Sequence, residues 1–345
     1  MFDKLMNNYY YGKAGKGDLT PDDLPSNRWQ LFLETLRVRF SALVRLNLMY
    51  LVVFIPLLIV IGLGLSAALN VLNATDLGNG ESAYTMQAQI EAEEAAEAGT
   101  GAEVEIPQVL SPLESGDSLF SILFISLILF IPAFAITGPA TAGVSYVTRN
   151  WSRDEHAFIW SDFKDAVKEN WKQSLVISTV TSVLPIIVFM CWRFYGSLAN
   201  TQVIMIIPQV LILMLGIVWA LSVTYMHPMI VGYRLKMRDL LRNSFLIAIA
   251  RLPMSLGIRL LHCVPVAIAV AVALFVNASW AILGLLLYYL LIGFSLSRFI
   301  TASYTTAVFD KFINSHISGA PVNRGLREET DEDDEEDIVV EMPRE

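Results

Sequence analysis

Cysteine is almost missing from this chain: Cys191 and Cys263 are the only two in 345 residues. Both stand within or beside apolar stretches, which excludes a disulfide framework and makes them small packing residues. Charge is scarce too. Asp, Glu, Lys and Arg make up 17% of the residues, against roughly a quarter in soluble proteins. No Lys or Arg occurs between Arg45 and Arg149, and no Asp or Glu occurs inside the apolar blocks described below. A proton relay or cation-coupled site built on a buried carboxylate is therefore disfavoured. The chain also lacks a Gly-x-Ser-x-Gly elbow and a lysine-bearing phosphate loop. His156, His227, His262 and His316 are scattered, without metal-ligand spacing. The expectation is a non-enzymatic protein with no cofactor, no metal and no nucleic-acid partner.

What is abundant is hydrocarbon. Hydrophobic residues make up 54% of the chain and collect in long blocks. A helix needs about 20 mostly apolar residues to cross a hydrocarbon layer about 30 Å thick. Six blocks qualify: Arg45 to Leu72, Leu119 to Val144, Leu175 to Tyr195, Val203 to Tyr225, Leu256 to Val276, and Trp280 to Thr301. The short connections Gly196 to Gln202 and Asn277 to Ser279 make helical hairpins of their neighbours. The expected fold is all-α, a polytopic transmembrane bundle of about six spans with amphipathic interfacial helices. Residues 1–44 form an N-terminal segment, 45–312 the membrane domain, and 313–345 a disordered acidic tail. No apolar leader with a small-residue cleavage site precedes the first block, so that block should insert and stay.

Basic residues set the orientation, because Lys and Arg favour the cytoplasmic side. Arg28, Arg37, Arg39 and Arg45 precede the first span. Arg149, Arg153, Lys164, Lys168 and Lys172 follow the second, and Arg234, Lys236, Arg238 and Arg242 follow the fourth. The intervening loop 73–118 is acidic, with Glu91, Glu93, Glu94 and Glu97 among its residues. Basic and non-basic connections alternate, which places both termini in the cytoplasm.

Outside the spans, Leu33, Leu36, Phe40 and Leu43 recur at helical spacing, as in an amphipathic helix at the interface or a straight extension of the first span. Gln87 to Ala98 should be a solvated helix ended by Gly99 to Gly101. Residues 158–173 read as a cytoplasmic amphipathic helix capped by Ser161. Trp160, Phe163, Val167 and Trp171 form its apolar stripe, facing the membrane or a partner. From Arg327 onward the acidic run repels itself and has nothing to bury.

Inside the membrane, Pro56, Pro132, Pro139, Pro185, Pro208, Pro228 and Pro265 can each kink a span. Gly138, Ala142 and Gly143 give a smooth face for close helix contact, and Ile136 to Gly143 reads as a re-entrant or kinked end of the second span. Arg251, Arg259 and Arg298 stand at or within apolar blocks, where charge is costly unless watered or paired. Leu240 to Leu261 reads as an interfacial helix that bends at Pro253.

The run Gly138-Pro139-Ala140-Thr141-Ala142-Gly143, then Tyr146 to Asn150, Glu155-His156 and the Trp160 to Trp171 helix resembles the YesL family of bacterial membrane proteins. Arg45-Leu46-Asn47-Leu48 before Pro56 is similar to that family as well, as is His227-Pro228 with the basic segment Tyr233 to Asn243. The resemblance implies a bacterial plasma-membrane protein of unknown function, often encoded near carbohydrate-uptake genes. It further implies an accessory or regulatory role beside a partner such as a sugar ABC transporter. The acidic loop and tail look larger than the compact family pattern. The candidate functional or partner-contact residues are Gly138, Pro139, Arg149, Trp160, Trp171, His227, Pro228, Arg234, Arg238, Arg251, Arg259 and Arg298. Kinked spans and unpaired arginines also suit a transporter or channel for anionic or sugar-like solutes. An intramembrane enzyme would need convergent polar side chains that the linear sequence does not display.

Overall fold

The computed structural model describes residues 24–98 and 107–327. Among them all long regular structure is helical, with one isolated bridge between Thr75 and Leu110. Helix α1 spans Arg28–Val38, with the Asn27 side chain capping its first turn by accepting from the Gln30 amide. After a break at Arg39, α2 runs from Phe40 to Ala74. The acidic loop carries α3, Ala83–Glu97, opened by a Ser82–Thr85 capping box. Then follow α4 (Pro112–Ala135), α5 (Thr137–Trp151), α6 (Ile159–Ala199), α7 (Ile206–Gly232) and α8 (Met237–Ala250). Helix α9 (Leu252–Phe275) and α10 (Ala278–Tyr288) form a hairpin, and a π-helical turn at Tyr289–Gly293 leads into α11, Phe294–Phe312.

Six of these elements are long and apolar enough to cross a membrane: Phe40–Ala74, Pro112–Ala135, Ile159–Ala199, Val203–Gly232, Leu252–Phe275 and Ala278–His316. Each overlaps one of the six expected blocks, and four contain theirs entirely; the block from Leu119 to Val144 runs past the helix end at Ala135, and that from Leu256 to Val276 runs one residue past Phe275. At 1.5 Å per residue the 41-residue α6 is about 60 Å long, roughly twice the hydrocarbon thickness. Its surplus lies at the end where the basic connections gather.

The tightly packed core occupies that basic end. One cluster joins Leu43, Leu46 and Tyr50 of α2 to Val144, Val147 and Trp151 of α5 and Phe299 of α11. A second joins Ile177 of α6 to Tyr225, Met226 and Met229 of α7, Leu240 of α8 and Phe309 of α11. Toward the other end the helices expose Ile59, Leu63, Ile204, Ile207, Leu274 and Phe275. In water such faces would need protein cover. In lipid they do not, because acyl chains are as apolar as leucine.

Several joints differ from the sequence expectation. The second span stops at Ala135, and the Gly-Pro segment starts a separate, largely buried helix, α5. The helix break falls at Ile136, one turn after Pro132. Ser161 is not a cap. The helix begins at Ile159, because the Asp162 carboxylate reaches back to accept from the Phe158 amide at 2.9 Å. It then continues without interruption into the third span. The bend near Pro253 falls at Arg251, since proline is accommodated in the first turn of α9. The Gly99 to Gly101 helix stop and the acidic run after Arg327 lie outside the described residues. Residues 313–327 lie against the bundle: the Arg327 amide donates to the Pro25 carbonyl at 3.0 Å, and Arg324 pairs with Glu155.

Candidate functional site: cationic side chains beside a pi-helical turn

The π-helical turn widens the last span and leaves backbone groups without regular helical partners, an arrangement often found at functional sites. Asn47 of α2, fully buried, satisfies them. Its Nδ2 donates to the carbonyls of Tyr289 (2.9 Å) and Leu290 (2.8 Å), and its Oδ1 accepts from the Ser295 amide at 2.9 Å. The Ser295 hydroxyl donates back to the Leu43 carbonyl at 2.9 Å. Gly293 lets the turn close, since a Cβ there would sit 2.7 Å from the Tyr289 ring and 2.8 Å from that of Tyr288.

Beside this turn lies a cavity of about 180 Å³, lined by Tyr50, His262, Tyr288, Tyr289, Ser297 and Arg298 among others. His262 of α9 meets the Ser297 carbonyl at 2.9 Å and the Thr301 hydroxyl at 3.3 Å. Behind it stand His227 of α7, fully enclosed, and the half-buried Arg259 of α9. The charges of Arg259 and Arg298 act on each other and on both histidines, and among the described residues no carboxylate forms an ion pair with either arginine. Arg259 donates to the Ala220 carbonyl, yet its Nε has no acceptor. The ring nitrogens of His227 and Nδ1 of His262 likewise lack a well-formed partner, the nearest acceptors being carbonyls one turn back, at Val223 and Ile258. Among the described residues, none of Arg251, Arg259 and Arg298 forms an ion pair.

Such a group is costly as it stands. Desolvated cations in an apolar span need a counter-charge or water, and here Arg259 has one backbone carbonyl while its Nε has no acceptor. Chemically the arrangement suits an anion: a planar guanidinium fork, imidazole N–H groups and hydroxyls, next to a space larger than a single water. Among the described residues no group of three or more His, Cys, Asp or Glu side chains is placed to hold a metal.

The structure thus brings together His227, Arg259 and Arg298 from the candidate residues and adds His262, Asn47 and Ser297. The other candidates fall elsewhere. Pro228 is buried in α7 next to His227. Arg251 lies over the Phe312 ring, 5.6 Å from its centroid. Gly138 faces α6, where a Cβ would meet the Ser174 carbonyl at 2.5 Å and clash with Ser178 Oγ, and Pro139 sits in the same first turn of α5. The apolar stripe of α6 divides. Phe163 and Val167 pack against Gly143, whereas Trp160 and Trp171 stay 65% and 46% exposed. Arg234 and Arg238 are exposed, and Arg149 lines a separate cavity at the basic end. His262 was legible only as a scattered histidine, and Asn47 carried no signal of its role, because its partners are more than 240 positions away.

Residues 118–191 match a family described as "Protein of unknown function, DUF624". The matched stretch covers most of α4, all of α5 and most of α6, including Gly138, Pro139, Arg149, Trp160 and Trp171, and leaves the His227–Arg298 cluster outside. No curated protein and no solved structure matches the chain.

Proposed function

We propose that this chain is a non-enzymatic, multi-pass protein of a bacterial plasma membrane that binds a small anionic or acidic-sugar solute at the His227–Arg259–His262–Arg298 cluster and passes it across the bilayer. One observation supports the reading: His262 and Arg298 line a cavity, His227 and Arg259 lie within their electrostatic reach, and among the described residues neither arginine has a carboxylate partner. The basic end is taken as cytoplasmic on the positive-inside pattern, with both termini there. In proteoliposomes the wild-type protein should take up at least one anion from a panel of phosphate, sulfate, carboxylates, uronates and sugar phosphates. Arg298→Gln and Arg259→Gln should each reduce that uptake about tenfold or more, the scale of a lost charge-assisted contact. A wild-type protein that moves nothing in the panel would sink the transport reading.

A second reading, an accessory subunit beside a sugar ABC transporter, draws on the YesL-like segments and on one feature of the surface. Phe158 just before α6, Trp160 and Trp171 on α6, and Leu246 and Ile249 on α8 are exposed at the basic end. In-cell crosslinking from position 160 should then recover one recurrent membrane partner, whereas recovery of lipid adducts alone counts against it.

A further inference from the structure

A second cavity, of about 390 Å³, opens at the basic end, and none of the residues lining it belongs to the intramembrane cluster. Arg149, in the last turn of α5, forms one wall with Arg153 and Glu155 from the turn that follows. Gly232 and Tyr233, where α7 ends, form the second wall. Asn314 and the segment through Ala320, Pro321 and Arg324 close the third.

Counting charge is decisive here. Three arginines face one glutamate. Glu155 already serves two of them: it forms ion pairs with Arg153, whose Nε lies 3.3 Å away yet has no hydrogen-bond acceptor, and with Arg324. Among the described residues Arg149 has no ion pair and no hydrogen-bond acceptor in the cavity wall. Its guanidinium is held below the ordinary arginine range, first by burial and then by the neighbouring positive charge of Arg153. The other polar groups are committed to each other: the Tyr233 hydroxyl donates to Asn314 Oδ1 at 2.7 Å, and Asn314 Nδ2 donates to Asp310 Oδ1 at 2.6 Å. Space for the guanidinium depends on Gly232, where a Cβ would lie 3.2 Å from Arg149 Nε. The helix C-terminus offsets part of the positive charge of Arg149, but it supplies no bidentate acceptor.

We propose that this cavity is a phosphate-binding site: Arg149, Arg153 and Arg324 clamp a phosphate group, Arg149 as the principal fork. An excess of two positive charges matches a phosphate monoester near neutral pH, and a guanidinium pairs with phosphate oxygens through two parallel hydrogen bonds. The site is independent of the solute cluster proposed above. It reads a ligand from the basic side.

The test uses the full chain in nanodiscs of phosphatidylcholine, titrated calorimetrically with inorganic phosphate and with a hexose phosphate. Saturable binding is expected. Arg149→Gln should weaken it about tenfold or more, and so should Arg324→Gln, whose half-exposed side chain can be replaced without disturbing the core. Arg242→Gln, an exposed control on the same end, should leave it unchanged. In a parallel arm the nanodiscs contain phosphatidic acid. If a phosphate carried by the lipid binds in an Arg149-dependent way and soluble phosphate does not, the phosphate site stands and its source is the leaflet. Binding that ignores both Arg149→Gln and Arg324→Gln overturns the proposal, as does no binding in either arm. It is overturned equally if only a chain ending at Arg327 binds phosphate, because the acidic run that follows would then be the natural occupant.

Discussion

Asn47 shows how much can rest on one buried amide. Its three hydrogen bonds replace the helical partners that the π-helical turn gives up, in a setting where no water competes. Asn47→Ala should lower stability by about 2–4 kcal/mol, the cost of leaving two or three buried polar groups unpaired. Reversible denaturation in mixed micelles, compared with wild type, reads that loss directly. Glycines divide in the same way by environment. Gly138→Ala should be destabilising by about 1–3 kcal/mol, because the new methyl meets backbone of α6. Gly62→Ala, with nothing within 4 Å, should be neutral or slightly stabilising; equal effects at the two positions would contradict the contact. The sequence already marked Gly138 as part of a smooth face, since small residues next to Ala142 and Gly143 have few other uses in a span. It could not mark Asn47, whose role exists only once α2 and α11 lie side by side.

At the scale of elements, hydropathy carried the information it physically can. A run of some 20 apolar residues has one solution in lipid, so all six spans were legible from composition alone. Joints were not. No side chain caps α6 in the usual way; Asp162, inside the first turn, accepts from the Phe158 amide, a contact that depends on the path of the preceding turn, and Gln173 fixes that helix to the Leu235 carbonyl through a bond that no local pattern encodes. The π-helical turn is equally silent in sequence. Its register is testable by deletion. Removing Leu291 lets α10 and α11 return to a regular helix with their flanks kept in phase, which takes away the widened turn beside the cavity. The expected variant is folded and monodisperse but no longer binds the solute; retained binding would show that the turn is incidental to the site.

Viewed whole, the molecule has two unlike halves. Its basic end is packed as tightly as a soluble domain, with Trp151, Tyr50, Tyr225 and Phe299 fully enclosed, while its other half presents apolar side chains on nearly every face. That contrast sets which half meets water-borne partners and which meets acyl chains. It also places the acidic helix α3 on the opposite side from Lys164 and Lys168. With Cys191 and Cys263 replaced by serine, a cysteine at Glu93 should react with an impermeant maleimide in intact cells, and one at Lys164 only after permeabilisation. The reverse pattern would invert the topology. The central claim, that the positive charge held inside this bundle exists to meet an anion, is tested most directly by isothermal titration of nanodisc-embedded protein with the anion that wild type transports. The expected result is one saturable site in the wild-type chain and none in a folded Arg259→Gln/Arg298→Gln variant. Equal affinity in the two proteins would contradict it.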